Sequence, residues 1–181
     1  MEAQPGAPAV VRVVLTGSES TGKTTLAHRL AAHYGTVASR EFVRDYALAR
    51  GNALGFDDLA PIARGQMAAE DDAAARATRI VFLDTDLVST AIYSHHYYDR
   101  CPAWLAAAAA ERAADLYLLM DIDVPWVPDP ARDRGDRRDE MHRLFRDGLA
   151  ARHLPYVEIS GDWDGRFAAA VRAVDALLAR R

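Results

Sequence analysis

The stretch Gly17-Ser18-Glu19-Ser20-Thr21-Gly22-Lys23-Thr24 meets every fixed position of G-x-x-x-x-G-K-[ST], the pattern of a loop that holds the phosphates of a nucleoside triphosphate. Gly17 and Gly22 permit backbone conformations and close approaches that a Cβ would obstruct. Successive N–H groups through Glu19, Ser20, Thr21 and on to Thr25 then surround the phosphates at the positive end of the following helix. Lys23 is expected to reach the β- and γ-phosphates, and the Thr24 hydroxyl to bind Mg²⁺. ATP and Mg²⁺ are the cofactors this chemistry implies.

Such a loop works only between a strand and a helix, and the flanking residues supply both. Val10-Val11-Arg12-Val13-Val14-Leu15 is a β-branched run that reads as a buried strand, and residues 25–34 read as helix. Further strands are expected over 36–38, 79–83, 116–120 and 156–159. Helices are expected over 23–34, 41–50, 56–78, 87–98, 103–114, 138–152 and 163–180. The alternation predicts an α/β P-loop NTPase fold: a five-stranded parallel sheet with helices on both faces. Residues 1–9 read as a frayed terminus and 10–181 as one domain, with a lid near 125–140.

In such a sheet, ligands bind beyond the carboxyl ends of the strands, and the chain places carboxylates there. Asp84 ends the strand Ile80-Val81-Phe82-Leu83 and is the metal candidate beside Thr24. Asp86 is either a substrate-binding group or the N-cap of the helix that begins at Leu87. Glu41, Arg44 and Asp45 follow the short second strand. If Glu41 begins a helix, they share one face and line an acceptor pocket; a solvated charged face is the alternative.

The segment from Asp121 to Arg138 contains three prolines and a glycine, which rule out a continuous helix, and four arginines: Arg132, Arg134, Arg137 and Arg138. It reads as an arginine-rich lid that closes over the transferring phosphate and excludes water, the alternative being aspartate–arginine pairing at a surface. Trp126 either stacks on a base or packs the lid hinge. After the last strand, Gly161 and Trp163 are candidates for bordering the adenine, Trp163 alternatively being a packed helix-start residue. His95 and His96 are adjacent and point about 100° apart on a helix, a poor metal pair; the stretch around them is an acceptor-site rim or a helix face.

Half of the 181 residues are apolar, enough for a packed core, and no run is long enough to span a membrane. The first residues lack the basic start and apolar centre of a secretory signal. One cysteine, Cys101, excludes an internal disulfide and points to a reducing cytoplasm. A net charge of −4 with no basic stripe argues against nucleic acid as a partner, a polynucleotide 5′-hydroxyl kinase included. The expected partners are ATP and a small nucleoside-like molecule, with no membrane partner and a homo-oligomer left open.

The phosphate loop with Thr25-Leu26, the segment Arg40-Glu41-Phe42-Val43-Arg44-Asp45-Tyr46, the segment Phe82-Leu83-Asp84-Thr85-Asp86, and Pro125-Trp126-Val127-Pro128-Asp129 with its arginine followers resemble the ribosylnicotinamide kinase domain of the bacterial NadR-type NAD-biosynthesis proteins. The resemblance runs over nearly the whole chain. It implies transfer of the ATP γ-phosphate to the 5′-hydroxyl of nicotinamide riboside, giving nicotinamide mononucleotide. It also implies that a carboxylate after the second or third strand accepts the hydroxyl proton, for which Glu41 and Asp84 compete, with Asp45 as a ribose-binding candidate. Two other functions remain open: a different nucleoside or small-molecule kinase sharing the ATP side, and a regulatory module in which nucleotide binding or hydrolysis serves a partner interaction.

Overall fold

The computed structural model describes residues 9–125 and 137–181. Strands β1 (Val11–Thr16), β2 (Ile80–Asp84), β3 (Leu116–Met120) and β4 (Tyr156–Ile159) form one parallel sheet in the order β2-β1-β3-β4. Helices α1 (Lys23–His33), α2 (Phe42–Ala49), α3 (Leu59–Arg76), α4 (Leu87–Tyr98), α5 (Ala103–Glu111), α6 (Arg138–Ala151) and α7 (Trp163–Leu178) alternate with them.

β1, β2 and β3 are almost continuously apolar because both of their faces are covered. Successive side chains point to opposite faces, so β1 feeds two cores. Val14 joins Val81, Leu83, Tyr117 and Leu119 under α3 to α6, whereas Val13 and Leu15 join Phe82, Leu118 and Met120 under α1 and α7. A fully buried side chain of this size contributes about 1.5–3 kcal/mol, so β1 is anchored from both sides and the loop after it leaves from a rigid edge.

The sheet has four strands, not the five the sequence suggests. The 36–38 segment closes a single parallel bridge, Ala38 to Phe82, with the Ser39 amide donating to the Phe82 carbonyl at 2.8 Å. Its pairing run is too short to propagate, because α1 ends just before it at Gly35 and the N-cap of α2, Glu41, follows three residues after Ala38. The helix expected over 56–78 opens as a 3₁₀ turn, Phe56–Asp58, before α3. There the Asp58 carboxylate accepts from the Gly55 amide at 2.8 Å, from the Tyr46 hydroxyl at 2.8 Å and from Arg50 at 2.7 Å, tying α2 to the start of α3. No helix among the described residues is long and apolar enough to cross a membrane.

Candidate functional site

The loop between β1 and α1 is held in a conformation that demands its glycines. Gly17 has φ +122° and a Cβ there would lie 2.9 Å from the Met120 carbonyl oxygen; Gly22, the N-cap of α1, has φ +83° and would press a Cβ to 2.4 Å from the Trp163 ring. Lys23 folds its ammonium onto the loop itself, donating to the Gly17 and Ser18 carbonyls at 3.1 and 2.7 Å, and Thr21 donates to the Ser18 carbonyl at 2.9 Å. The loop is therefore pre-shaped, with its cation at the mouth of the helix.

Thr24 donates its hydroxyl to Asp84 Oδ2 at 2.6 Å, joining the first turn of α1 to the carboxyl end of β2. Asp84 is fully buried, and its Oδ1 has no hydrogen-bond partner among the described residues. Burial, then the nearby charge of Glu41, push its carboxyl up to about 6, against the Thr24 hydrogen bond and the Lys23 charge. An orphaned carboxylate oxygen beside a threonine hydroxyl is a hard-oxygen donor set that fits Mg²⁺. That ion is usually held by one or two protein oxygens and completed by phosphate and water, so it needs no dedicated cage, and the described residues contain no cluster of three or more His, Cys, Asp or Glu.

The phosphate loop opens into a cavity of about 670 Å³ that runs between α2, α3 and α4. Gly17, Glu19, Ser20, Thr21, Gly22, Lys23, Thr24, Thr25 and Trp163 line one part, and Glu41 and Arg44 line another. The far wall is aromatic and polar, with Tyr93, Tyr97 and Tyr98 from α4 and Gln66 from α3. Tyr93 and Tyr97 stack at 5.8 Å with their planes 15° apart, and Tyr93 is braced edge-on by Phe145. The tyrosines around His95 and His96 thus form a rim of the cavity, while the two histidines are not part of its lining.

Other residues singled out in the sequence lie apart from this cavity. Asp45 turns outward and pairs with Arg40 at 3.5 Å. Asp86 is buried behind the wall: it caps α4 by accepting from the Ser89 amide at 3.1 Å and takes the Tyr117 hydroxyl at 2.8 Å, so its N-cap reading describes its contacts. Gly161 engages Asp123 and Arg166 and does not line the cavity. Arg137 approaches Glu140 at 3.9 Å, and Arg138 donates to the Val124 carbonyl at 2.8 Å, holding the base of the expected lid. Trp126, Arg132 and Arg134 lie outside the described residues.

Two groups escaped sequence reasoning. Arg166, on α7, is fully buried and donates to the Gly161, Thr21 and Asp121 carbonyls at 2.8, 3.2 and 3.0 Å while pairing with Asp123. It ties together the loops that follow β1, β3 and β4. Burial acts to raise the Asp123 carboxyl, but the Gly161 amide and the Arg166 guanidinium outweigh it and hold the group below the usual carboxylate range. Gln66 is the second, a buried polar residue in the same stripe of α3 as Leu59 and Ile62. It donates at 3.1 Å to the carbonyl of Thr85, which sits at the unusual φ of +64° immediately after Asp84. The only signal for Gln66 was a polar residue at helical spacing within an apolar stripe.

The chain is similar to known proteins over most of its length. The chain is 32% identical over 94% of its length to the trifunctional NAD biosynthesis/regulator protein NadR of Salmonella typhimurium, and spans 44% of that relative's length. A crystal structure of NadR in complex with NR superposes with a TM-score of 0.79 at 28% identity, over 93% of this chain and 50% of that one. A second, in complex with NAD and AMP-PNP, gives 0.78 at 29% identity, over 93% and 49%. Residues 12–166, from β1 to Arg166, match the family model AAA_28, described as an AAA domain, and the chain belongs to that family.

Proposed function

We propose that this protein is an ATP-dependent kinase that transfers the γ-phosphate to the 5′-hydroxyl of nicotinamide riboside. The observation that carries the reading is one continuous cavity lined by the phosphate loop with Lys23 and Thr24, by Glu41 and by a wall of stacked tyrosines. Its similarity to NadR chains solved with NR and with AMP-PNP supports both halves of that cavity.

Phosphoryl transfer needs alignment of donor and acceptor and stabilisation of charge on the transferring group. The loop amides and Lys23 hold the phosphates. Thr24 and Asp84 are the residues that would hold Mg²⁺, which supplies charge neutralisation between the phosphates when bound. Glu41, at the N-cap of α2 and in the cavity lining, is the proposed acceptor of the hydroxyl proton, a choice over Asp84 supported by the engagement of Asp84 with Thr24. Arg44, also in the lining, is the proposed acceptor-side cation. Arg132, Arg134, Arg137 and Arg138 are the proposed charge-stabilising arginines of the lid.

Transfer from γ-labelled ATP to nicotinamide riboside, run beside common nucleosides and a no-acceptor control, tests the reading. Label in nicotinamide mononucleotide that is lost in Lys23→Ala supports it; transfer to another nucleoside alone replaces the acceptor, and acceptor-independent hydrolysis replaces the kinase. Glu41→Gln is expected to lower kcat by about 10²–10⁴-fold, the usual worth of a positioned base, with little change in the KM for ATP. A loss confined to ATP affinity removes Glu41 from the chemistry.

A further inference from the structure

Four polar side chains on the α3–α4 wall of the cavity, Gln66, Ser89, Thr90 and Ser94, spend their protons inward. Gln66 donates from Nε2 to the Thr85 carbonyl at 3.1 Å and to Glu70 Oε1 at 3.4 Å. Thr90 donates to the Asp86 carbonyl at 3.4 Å, Ser94 to the Arg100 carbonyl at 2.7 Å, and Ser89 to Asp86 Oδ1 at 3.3 Å. What these four side chains have left to offer the cavity is oxygen lone pairs.

Gln66 is the most constrained of them. The Thr85 carbonyl is an obligate acceptor, so only the amide nitrogen of Gln66 satisfies it, and the alternative amide orientation would set two oxygens against each other. The second partner, Glu70, is itself fixed by Arg12 at 2.6 Å and Arg112 at 3.1 Å. With both amide hydrogens directed at acceptors behind the wall, the atom that Gln66 presents to a ligand is Oε1. Gln66 as a residue is buried, in the same stripe of the cavity lining as Leu59 and Ile62, an apolar surround that suits a flat ring better than a ribose. A donor there gains a hydrogen bond, whereas a carboxylate sets its own oxygens against a carbonyl oxygen in a buried setting.

We propose that Gln66 is a specificity-determining residue of the acceptor half of the cavity, taking a hydrogen bond from an uncharged carboxamide N–H on the acceptor's ring and disfavouring a carboxylate in its place. The inference rests on the acceptor reading given above. It is tested by kcat/KM for nicotinamide riboside against the riboside of pyridine-3-carboxylic acid at saturating ATP. The wild-type protein is expected to prefer the carboxamide by at least about tenfold, since a site built to hydrogen-bond a group rejects analogues that lack it. Gln66→Met keeps the length and removes the oxygen, and is expected to bring the two values within about threefold while the KM for ATP stays within about twofold. A residue that merely supports Thr85 would lower both ribosides together and leave their ratio unchanged, which overturns the proposal. Equal use of both ribosides by the wild type also overturns it, needs no variant to fold, and leaves the acceptor reading standing. Phosphorylation of neither riboside, with another nucleoside accepted, defeats both.

Discussion

The Thr24 hydroxyl and the Asp84 carboxylate meet at 2.6 Å although sixty positions separate them in the chain. Asp84 is buried, and among the described residues one of its oxygens has no hydrogen-bond partner. Asp84→Asn keeps an acceptor for Thr24 and removes the charge. Phosphoryl transfer is expected to fall about 10²–10³-fold, with Tm unchanged or raised, because a buried carboxylate costs stability. Steady-state kinetics and thermal melts on the same preparation check this; a lower Tm with activity retained would make Asp84 structural.

Gly65 lies inside α3 with the Phe42 ring seated on it, so that a Cβ would stand 2.1 Å from two ring carbons. Phe42 opens α2 directly after Glu41, and Arg44 follows on the same helix. Gly65→Ala therefore displaces the ring and moves the acceptor-side charges. Overpacking costs about 1–3 kcal/mol and the gain in helix propensity returns about 1 kcal/mol, for a net Tm loss of up to about 8 °C. The KM for the acceptor is expected to rise more than the KM for ATP, read from paired titrations.

Arg166 satisfies three carbonyls and a carboxylate from a position with no exposed surface. Arg166→Met leaves those acceptors without their donor and is expected to destabilise the fold by about 3–5 kcal/mol, the cost of breaking a buried pair from one side. Because one of the freed carbonyls belongs to Thr21, ATP affinity should weaken before the melting transition is reached. Calorimetric titration of nucleotide well below Tm checks this, and unaltered affinity in a destabilised variant would separate the clip from the loop.

The same clip has a pH signature through Asp123. Its carboxyl is held below the ordinary value of 3.8, so folding binds fewer protons there than unfolding does. Its contribution is fully present above about pH 4 and is lost as pH falls through the lower folded value. The wild type should therefore exceed Asp123→Asn in Tm at pH 6, and the gap should narrow below pH 3.8. A gap that is constant down to pH 3 would show that the charge of Asp123 adds nothing.

Local features were legible in the sequence and convergent ones were not. The phosphate loop is contiguous, and α4 was readable to its ends because Asp86 caps it three residues before Ser89. The 36–38 segment has strand composition, yet pairing depends on how far it runs beside β2, which composition does not encode. Arg166 reads as a surface residue of an amphipathic helix; its burial is created by Thr21, 145 positions away. Gln66 likewise becomes part of the cavity wall through the fold, its amide fixed by Thr85 and Glu70. Asp45 shares a short helix with Arg44, but helical phase sends it to solvent and Arg44 to the cavity.

Trp163 lays a half-exposed indole against the backbone of Gly22, at the N-cap of α1. The chain thus carries a fluorophore on its own phosphate loop, 141 positions away in sequence and in van der Waals reach in space. A ligand that settles in that loop is expected to alter the solvent contact of the ring, and with it the colour and intensity of its emission. Occupancy of the loop is therefore expected to be readable without label or coupled assay, as a change in intrinsic fluorescence that survives replacement of Trp104 and Trp126 by Phe.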